Sequence, residues 1–325
     1  MFEYKLSNYN QLISNEIDNL DLPTQPANLY EPISYILTLG GKRLRPLLSL
    51  FAADLFLEDE KVALPVAKSV EIFHNFSLMH DDIMDKAPLR RNQPTVHTKW
   101  NENVAILSGD VMLVKAYQSL DKVKDEHFKQ LVNLLNQCAI GVCEGQQLDM
   151  DFETRNNVAI DEYIEMIRLK TAVLLGYALE AGALVAGADE NIQKILKNYG
   201  ELIGIGFQIK DDLLDVFGES QKVGKQVAGD ILANKKTYLL LRAFEKADAD
   251  ALQKLNFWVS KTDSPQEKIE EITKLYIQLE VNTDAEILMN EYFAKADKLL
   301  LKTNLGPRKL KDLRAFTNLI INRDK

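Results

Sequence analysis

Apolar side chains recur every three or four residues along almost the whole chain, and little interrupts them. Ile33, Ile36 and Leu37 open the pattern, and Leu47, Leu48, Leu50, Phe51 and Leu55 continue it. The stretch from Val62 to Met84 then runs on with Pro65 near its start, where a helix tolerates proline. Further stretches of the same kind cover about 101–120, 126–152, 161–186, 190–217, 236–257, 266–301 and 308–323. Alternating strand patterns bounded by Asn-Gly or Asp-Gly turns are missing. With 15 Gly and 9 Pro in 325 residues, the spacing predicts an all-α fold of long helices. Length alone favours two domains, but no Pro/Gly/Ser-rich linker or shift of composition divides the chain. Residues 1–325 are therefore expected to form a single domain.

The formal net charge of −9 argues against non-specific nucleic-acid binding, which needs a basic surface. Cys138 and Cys143 lie five apart in a helical pattern and do not share a face, so they are expected as two small core thiols rather than a disulfide or zinc pair. The start, Met1-Phe2-Glu3-Tyr4-Lys5, lacks the basic-then-apolar order of a signal peptide. The most apolar run, Ala178 to Ala188, contains Glu180 and falls far short of the ~20 residues that span a bilayer. A cytoplasmic protein with no membrane span is expected.

Chemistry concentrates in two DDxxD clusters near helix ends, Asp81-Asp82-Ile83-Met84-Asp85 and Asp211-Asp212-Leu213-Leu214-Asp215. Asp81 and Asp85 are four apart and share a helix face, as do Asp211 and Asp215. Paired carboxylates so placed can hold magnesium, which takes one or two of them and completes its shell with water and phosphate oxygens. Carboxylates at a helix C-terminus oppose the macrodipole, a cost that cations would remove. Basic residues follow: Arg90-Arg91 after the first cluster, Lys225 and Lys235-Lys236 after the second. Lys170-Thr171 interrupts an apolar stretch, where a charge needs a partner. A diphosphate held between metal ions and these cations would satisfy every group. Gly40-Gly41-Lys42-Arg43-Leu44-Arg45-Pro46 offers a second anion site, its glycines allowing close backbone approach.

These residues resemble the trans-isoprenyl diphosphate synthases, also called the polyprenyl synthetase family. The resemblance rests on GGKRLRP at 40–46, HNFSLMHDDIMDKAPLRRNQPTVH at 74–97, GQQLDM at 145–150, KTA at 170–172, FQIKDDLLDVFG at 207–218 and GKQVAGDILANKKT at 224–237. It implies a helical bundle around a deep apolar cavity, a homodimer, and magnesium-dependent joining of isopentenyl diphosphate to an allylic diphosphate (dimethylallyl, geranyl or farnesyl). By resemblance, Asp81 and Asp85 ligate two magnesium ions and Asp211 a third, with Asp82 and Asp215 completing the clusters; manganese is a substitute. Arg90, Lys170, Thr171, Gln208, Lys225 and Lys235 surround the allylic diphosphate. Gly41, Lys42, Arg45, His74 and Arg91 bind isopentenyl diphosphate. The released diphosphate serves as base, in keeping with the lack of an evident His or Glu dyad.

Phe76 and Ser77, five and four residues before Asp81, lie about 6–7.5 Å back along a helix, with Phe73 a turn deeper. A ring at Phe76 could form the floor under a growing chain. The first cluster also lacks the two extra residues of the common bacterial farnesyl synthases. The resemblance therefore favours a geranylgeranyl (C20) product, with farnesyl (C15) as the alternative. A terpene cyclase and a non-catalytic subunit of a heteromeric synthase are the rivals. The intact second cluster opposes both, and the GGKRLRP site further opposes the cyclase.

Overall fold

The computed structural model describes residues 2–57, 59–218 and 228–321. In chain order the helices are α1 (Phe2–Asp18), α2 (Ala27–Thr38), α3 (Leu44–Asp54), α4 (Leu64–Met84), α5 (Val96–Lys99), α6 (Glu102–Ser119), α7 (Asp125–Thr154) and α8 (Ile160–Ile167). They continue with α9 (Val173–Val185), α10 (Glu190–Phe217), α11 (Gly229–Leu232), α12 (Tyr238–Lys246), α13 (Ala249–Ser260), α14 (Pro265–Gln278), α15 (Val281–Leu300) and α16 (Pro307–Ile321). The expected all-α class is correct. Among the described residues, β structure is limited to a hairpin of two-residue strands, β1 (Leu89–Arg90) and β2 (Gln93–Pro94). Arg91 and Asn92 both have positive φ, as a two-residue type I′ turn requires.

Three expected helices are interrupted. Asp248 caps α13 by accepting from Ala251 N at 2.9 Å, which splits the 236–257 stretch. Glu280, at φ 56°, separates α14 from α15 within 266–301. Between α8 and α9, Arg168–Ala172 forms a π-helical turn. The cysteine expectation needs one correction. Both thiols are free, but only Cys138 is buried; Cys143 is exposed, because five residues rotate a helix by about 140°.

The backbone divides into two compact units. The first comprises Met1–Val142, Val173–Glu201 and Leu299–Ala315. Its centre is α9, buried on every side from Val173 to Val185, as a helix apolar all round must be. Against it lies α3, with Leu47 through Ala53 buried. The two backbones nearly touch at Gly182, where a β-carbon would sit 2.3 Å from Ser49 O. Helix α4 packs between α3 and α6, and α1 covers α3 and α4 with Tyr9, Ile13 and Ile17.

The second unit comprises Cys143–Ala172, Leu202–Lys298 and Phe316–Lys325. Its core gathers Phe152, Tyr163, Ile167, Ile209, Tyr238, Leu255, Ile272 and Tyr276. Helix α14 packs on α11, α12 and α13. No helix among the described residues is long and apolar enough to cross a membrane.

Candidate active site

In the first unit, α4 carries the first acidic cluster at its C-terminus. The helix closes with a Schellman motif: Ala87 N–H donates to Asp82 O at 2.9 Å and Lys86 N–H to Ile83 O at 3.2 Å. Lys86 takes the left-handed position, at φ 50°. Helical periodicity then sorts the carboxylates. Asp82 is 2% exposed, whereas Asp81 is half-buried and the C-cap Asp85 is exposed.

Arg90, on β1, grips Asp82 from both sides. Its Nε lies 2.9 and 2.8 Å from the two carboxylate oxygens, and Nη2 lies 2.7 Å from Oδ1. Nη2 also comes within 3.7 Å of Asp81. Burial raises the Asp82 carboxyl above its ordinary range, and Arg90 opposes that rise.

A second group of residues in this unit brings Arg45 to His74 and Arg91 to Gly41, four of the residues expected at the anion site. Arg45 donates to His74 Nε2 at 3.2 Å. Because a guanidinium only donates, Nε2 accepts and the His74 proton sits on Nδ1. Burial first, then Arg45, Arg91 and Arg90, hold the His74 imidazole well below its usual range, so it is neutral. The Arg91 guanidinium lies against Gly41, where a β-carbon would be 2.6 Å from Nη2. Gly41 is thus required for this approach as well as for its own φ of 134°. Lys42 is exposed in the same turn.

One residue here, Glu71, escaped the sequence reading, and Arg43 was read only as part of GGKRLRP. Glu71 is 5% exposed and accepts from Asn75 at 3.1 Å. Arg43 lies 3.9 Å from Glu71 and donates to Ser14 at 2.6 Å. An acid within the apolar run of α4, three residues before His74, was the available signal for Glu71.

Farther back on α4, Phe76 is buried between Phe73 and His80, with ring centroids at 5.5 and 4.8 Å. Ser77 returns its hydroxyl to His74 O at 2.9 Å. His80 is occupied by packing, its Nε2 3.2 Å from Ile106 O and its ring against Gly109.

In the second unit, the π turn leaves Lys170 and Thr171 half-buried, between buried Ile167 and Ala172. A β-carbon on Gly145 would fall 2.2 Å from Lys170 N, so glycine lets α7 meet this turn. Lys170 pairs with Asp149 at 2.6 Å. Asp149 lies within GQQLDM but had not been assigned a task. Thr171 Oγ1 donates to Gln208 Oε1 at 3.2 Å, and Gln208 Nε2 donates to Asp212 Oδ1 at 3.3 Å.

The second acidic cluster repeats the sorting of the first. Asp211 is exposed and Asp212 is 5% exposed. Asp212 accepts from the Tyr163 hydroxyl, a partner with no sequence signal. Burial and the nearby Asp230 charge push the Asp212 carboxyl well up, against the pull of Tyr163 and Gln208. Asp215 receives the returning chain: its carboxylate accepts from Asp230 N at 3.0 Å and its carbonyl from Ala228 N at 2.7 Å. Lys235 is half-buried after α11, with its N–H on Asp230 O at 3.0 Å. Lys225 lies outside the described residues.

No three His, Cys, Asp or Glu side chains among the described residues gather into a ready-made metal cage. The donor set still fits magnesium. Half-buried Asp81 and exposed Asp85 in the first unit, and exposed Asp211 in the second, are hard oxygen donors near helix ends, and magnesium commonly takes only one or two carboxylates plus phosphate oxygens.

The family model described as polyprenyl synthetase matches residues 26–276. The chain belongs to the polyprenyl synthetase family. This synthetase is 43% identical over 244 residues to the geranylgeranyl diphosphate synthase of Methanosarcina mazei, covering 74% of this chain and 75% of the relative. It is 34% identical over 325 residues to the geranylgeranyl diphosphate synthase of Saccharolobus solfataricus, covering 93% and 97%. A solved geranylgeranyl pyrophosphate synthase superposes with a TM-score of 0.93 at 40% identity, covering 100% of this chain and 99% of that one. The synthetase is accordingly a prenyltransferase of isoprenoid biosynthesis, from a family that uses isopentenyl and allylic diphosphates and generally depends on magnesium.

Proposed function

We propose that the chain extends allylic diphosphates head-to-tail (1′-4) with isopentenyl diphosphate and stops at geranylgeranyl diphosphate, the C20 product. Three magnesium ions would be held through Asp81, Asp85 and Asp211, and they supply neutralisation of the charge developing on the leaving diphosphate. The observation that carries this reading is the shared burial order of both clusters: the first Asp keeps solvent exposure, half-buried at Asp81 and exposed at Asp211, while the second is buried and engaged with protein partners. Arg90, Lys170, Lys225 and Lys235 would clamp the allylic diphosphate. Thr171 and Gln208 would face the allylic carbon with their oxygens.

Gly41, Lys42, Arg45, His74 and Arg91 would hold the isopentenyl diphosphate. Neutral His74 retains an Nδ1–H, while Arg45 and Arg91 supply charge. Buried Glu71 and Arg43 help fix this cationic group. The two units would work as one catalytic domain. Exposed Leu107 and Val114, seven apart on one face of α6, provide apolar surface suited to a homodimer. The free thiols suit a cytoplasmic setting.

Product length would be set by Phe76, about 7.5 Å behind Asp81 along α4, and then by Phe73. Ser77 leaves room beside the ring. Incubation with isopentenyl diphosphate and dimethylallyl, geranyl or farnesyl diphosphate should give C20 from all three. Termination at C15 would overturn the length assignment. In Phe76→Ala, chromatography should show longer products, and an unchanged distribution would remove Phe76 as the floor.

A further inference from the structure

A string of hydrogen bonds crosses the second unit from Tyr163 on α8 to Thr171 in the π turn. Tyr163 donates its hydroxyl to Asp212 Oδ2, and Gln208 Nε2 donates to Asp212 Oδ1 at 3.3 Å. Thr171 Oγ1 then donates to Gln208 Oε1 at 3.2 Å. Tyr163 and Asp212 are 2% and 5% exposed, so solvent does not compete for them.

The direction of every bond follows from Asp212. Both Asp212 oxygens accept, Oδ2 from Tyr163 and Oδ1 from Gln208, so Gln208 turns its NH2 toward the acid and its carbonyl toward Thr171. Facing a carbonyl, the Thr171 hydroxyl must donate. Its single proton is thereby committed, and Oγ1 offers only lone pairs on its remaining side.

We infer that Asp212 and Tyr163 are positioning residues that fix the polarity of Gln208 and Thr171, so that oxygen lone pairs rather than O–H or N–H hydrogens meet positive charge on the allylic carbon. The inference rests on the proposed placement of Thr171 and Gln208 beside that carbon. It gives the second Asp of the cluster a task separate from metal ligation. Tyr163 matters because its bond to Oδ2 holds the Asp212 carboxyl where Oδ1 meets Gln208, and because its proton fixes which atom an altered residue 212 presents to Gln208.

Asp212→Asn tests this directly. Tyr163 would keep the Asn oxygen, the Asn NH2 would face Gln208, and the whole string would reverse. Turnover should fall about 100-fold, as when one preorganised group is lost, with KM for both diphosphates and half-saturating magnesium within about twofold. Adding Tyr163→Phe to Asp212→Asn frees the Asn to rotate and should restore kcat by about threefold to tenfold over the single variant. Unchanged kcat in Asp212→Asn overturns the inference. So does a tenfold or greater rise in half-saturating magnesium, the mark of a metal ligand, or a double variant slower than Asp212→Asn.

Thr171→Val separates the inference from the reading beneath it. Normal turnover there removes the cation-facing assignment and the inference together. Impaired Thr171→Val beside normal Asp212→Asn removes the inference alone. If Asp212→Asn does not fold by circular dichroism, Tyr163→Phe carries the test: kcat should fall by about threefold to tenfold with KM held, and an unchanged kcat overturns the inference.

Discussion

At the end of α4 the buried carboxylate of Asp82 meets a cation; at the end of α10 that of Asp212 meets a phenol and an amide. Both sequences read DDxxD, and in both the second Asp turns inward by helical periodicity. The difference lies in the partner. Arg90 matches Asp82 with opposite charge and two-sided geometry, whereas Tyr163 and Gln208 supply directed hydrogen bonds. The first arrangement secures a helix end and its hairpin. The second orients groups on a neighbouring segment, and it leaves more uncompensated negative charge because Asp230 lies near.

The outward carboxylates should separate most sharply from the rest of each cluster. Asp81→Asn and Asp211→Asn are expected to lower kcat roughly a thousandfold or more, equivalent to several kcal/mol of lost charge stabilisation. Asp215, whose carboxylate already caps the returning chain, should be much less sensitive, with Asp215→Asn costing about tenfold. Steady-state rates at saturating magnesium check both. Near-normal turnover in Asp81→Asn or Asp211→Asn would end the metal assignment for that residue.

The inward carboxylates should differ in stability. Arg90→Met strands a buried charge and is expected to cost about 3–5 kcal/mol. Tyr163→Phe removes one donor from an acid that keeps Gln208, costing about 1–2 kcal/mol. Urea unfolding of the metal-free proteins measures both. In Arg90→Met with Asp82→Asn, much of the loss should return, since no unpaired charge remains. Equal costs for the two single variants would erase the distinction between charged and neutral partners.

How much of this was legible beforehand follows from what periodicity carries. Asp81, Asp85 and Asp211 stood out because a spacing of four survives any helical placement. The cationic group around His74 was legible from GGKRLRP and the paired arginines. Tyr163 was not, because Asp212 lies forty-nine residues away and no local pattern joins them. Asp149 and Lys170, twenty-one apart, pair only because Gly145 lets two segments meet closely. The π turn at Arg168–Ala172 hardly disturbs the apolar spacing, so 161–186 read as one helix. The breaks at Asp248 and Glu280 were hidden likewise, by apolar spacing that runs on past a cap and a left-handed residue.

The smallest expected effect concerns pH. An unfolded Asp titrates near 3.9. In the folded, metal-free protein, burial and Asp230 raise Asp212 well above that value, while Asp82 rises less freely because Arg90 opposes it. Between the unfolded and folded pKa values, the native state binds more protons than the unfolded chain. Stability therefore falls as pH rises through that window, and this contribution is fully favourable only at its acid end. Asp212→Asn removes the titration, so its unfolding free energy should decline less steeply than that of the wild type from about pH 4 upward. Asp82→Asn should flatten the profile less, because it also discards the Arg90 pair. Urea midpoints measured across the acid-to-neutral range in chelator give the slopes. Parallel curves for wild type and Asp212→Asn would mean that Tyr163 and Gln208 compensate the buried carboxylate as fully as Arg90 does, and the two helix ends would then differ in geometry alone.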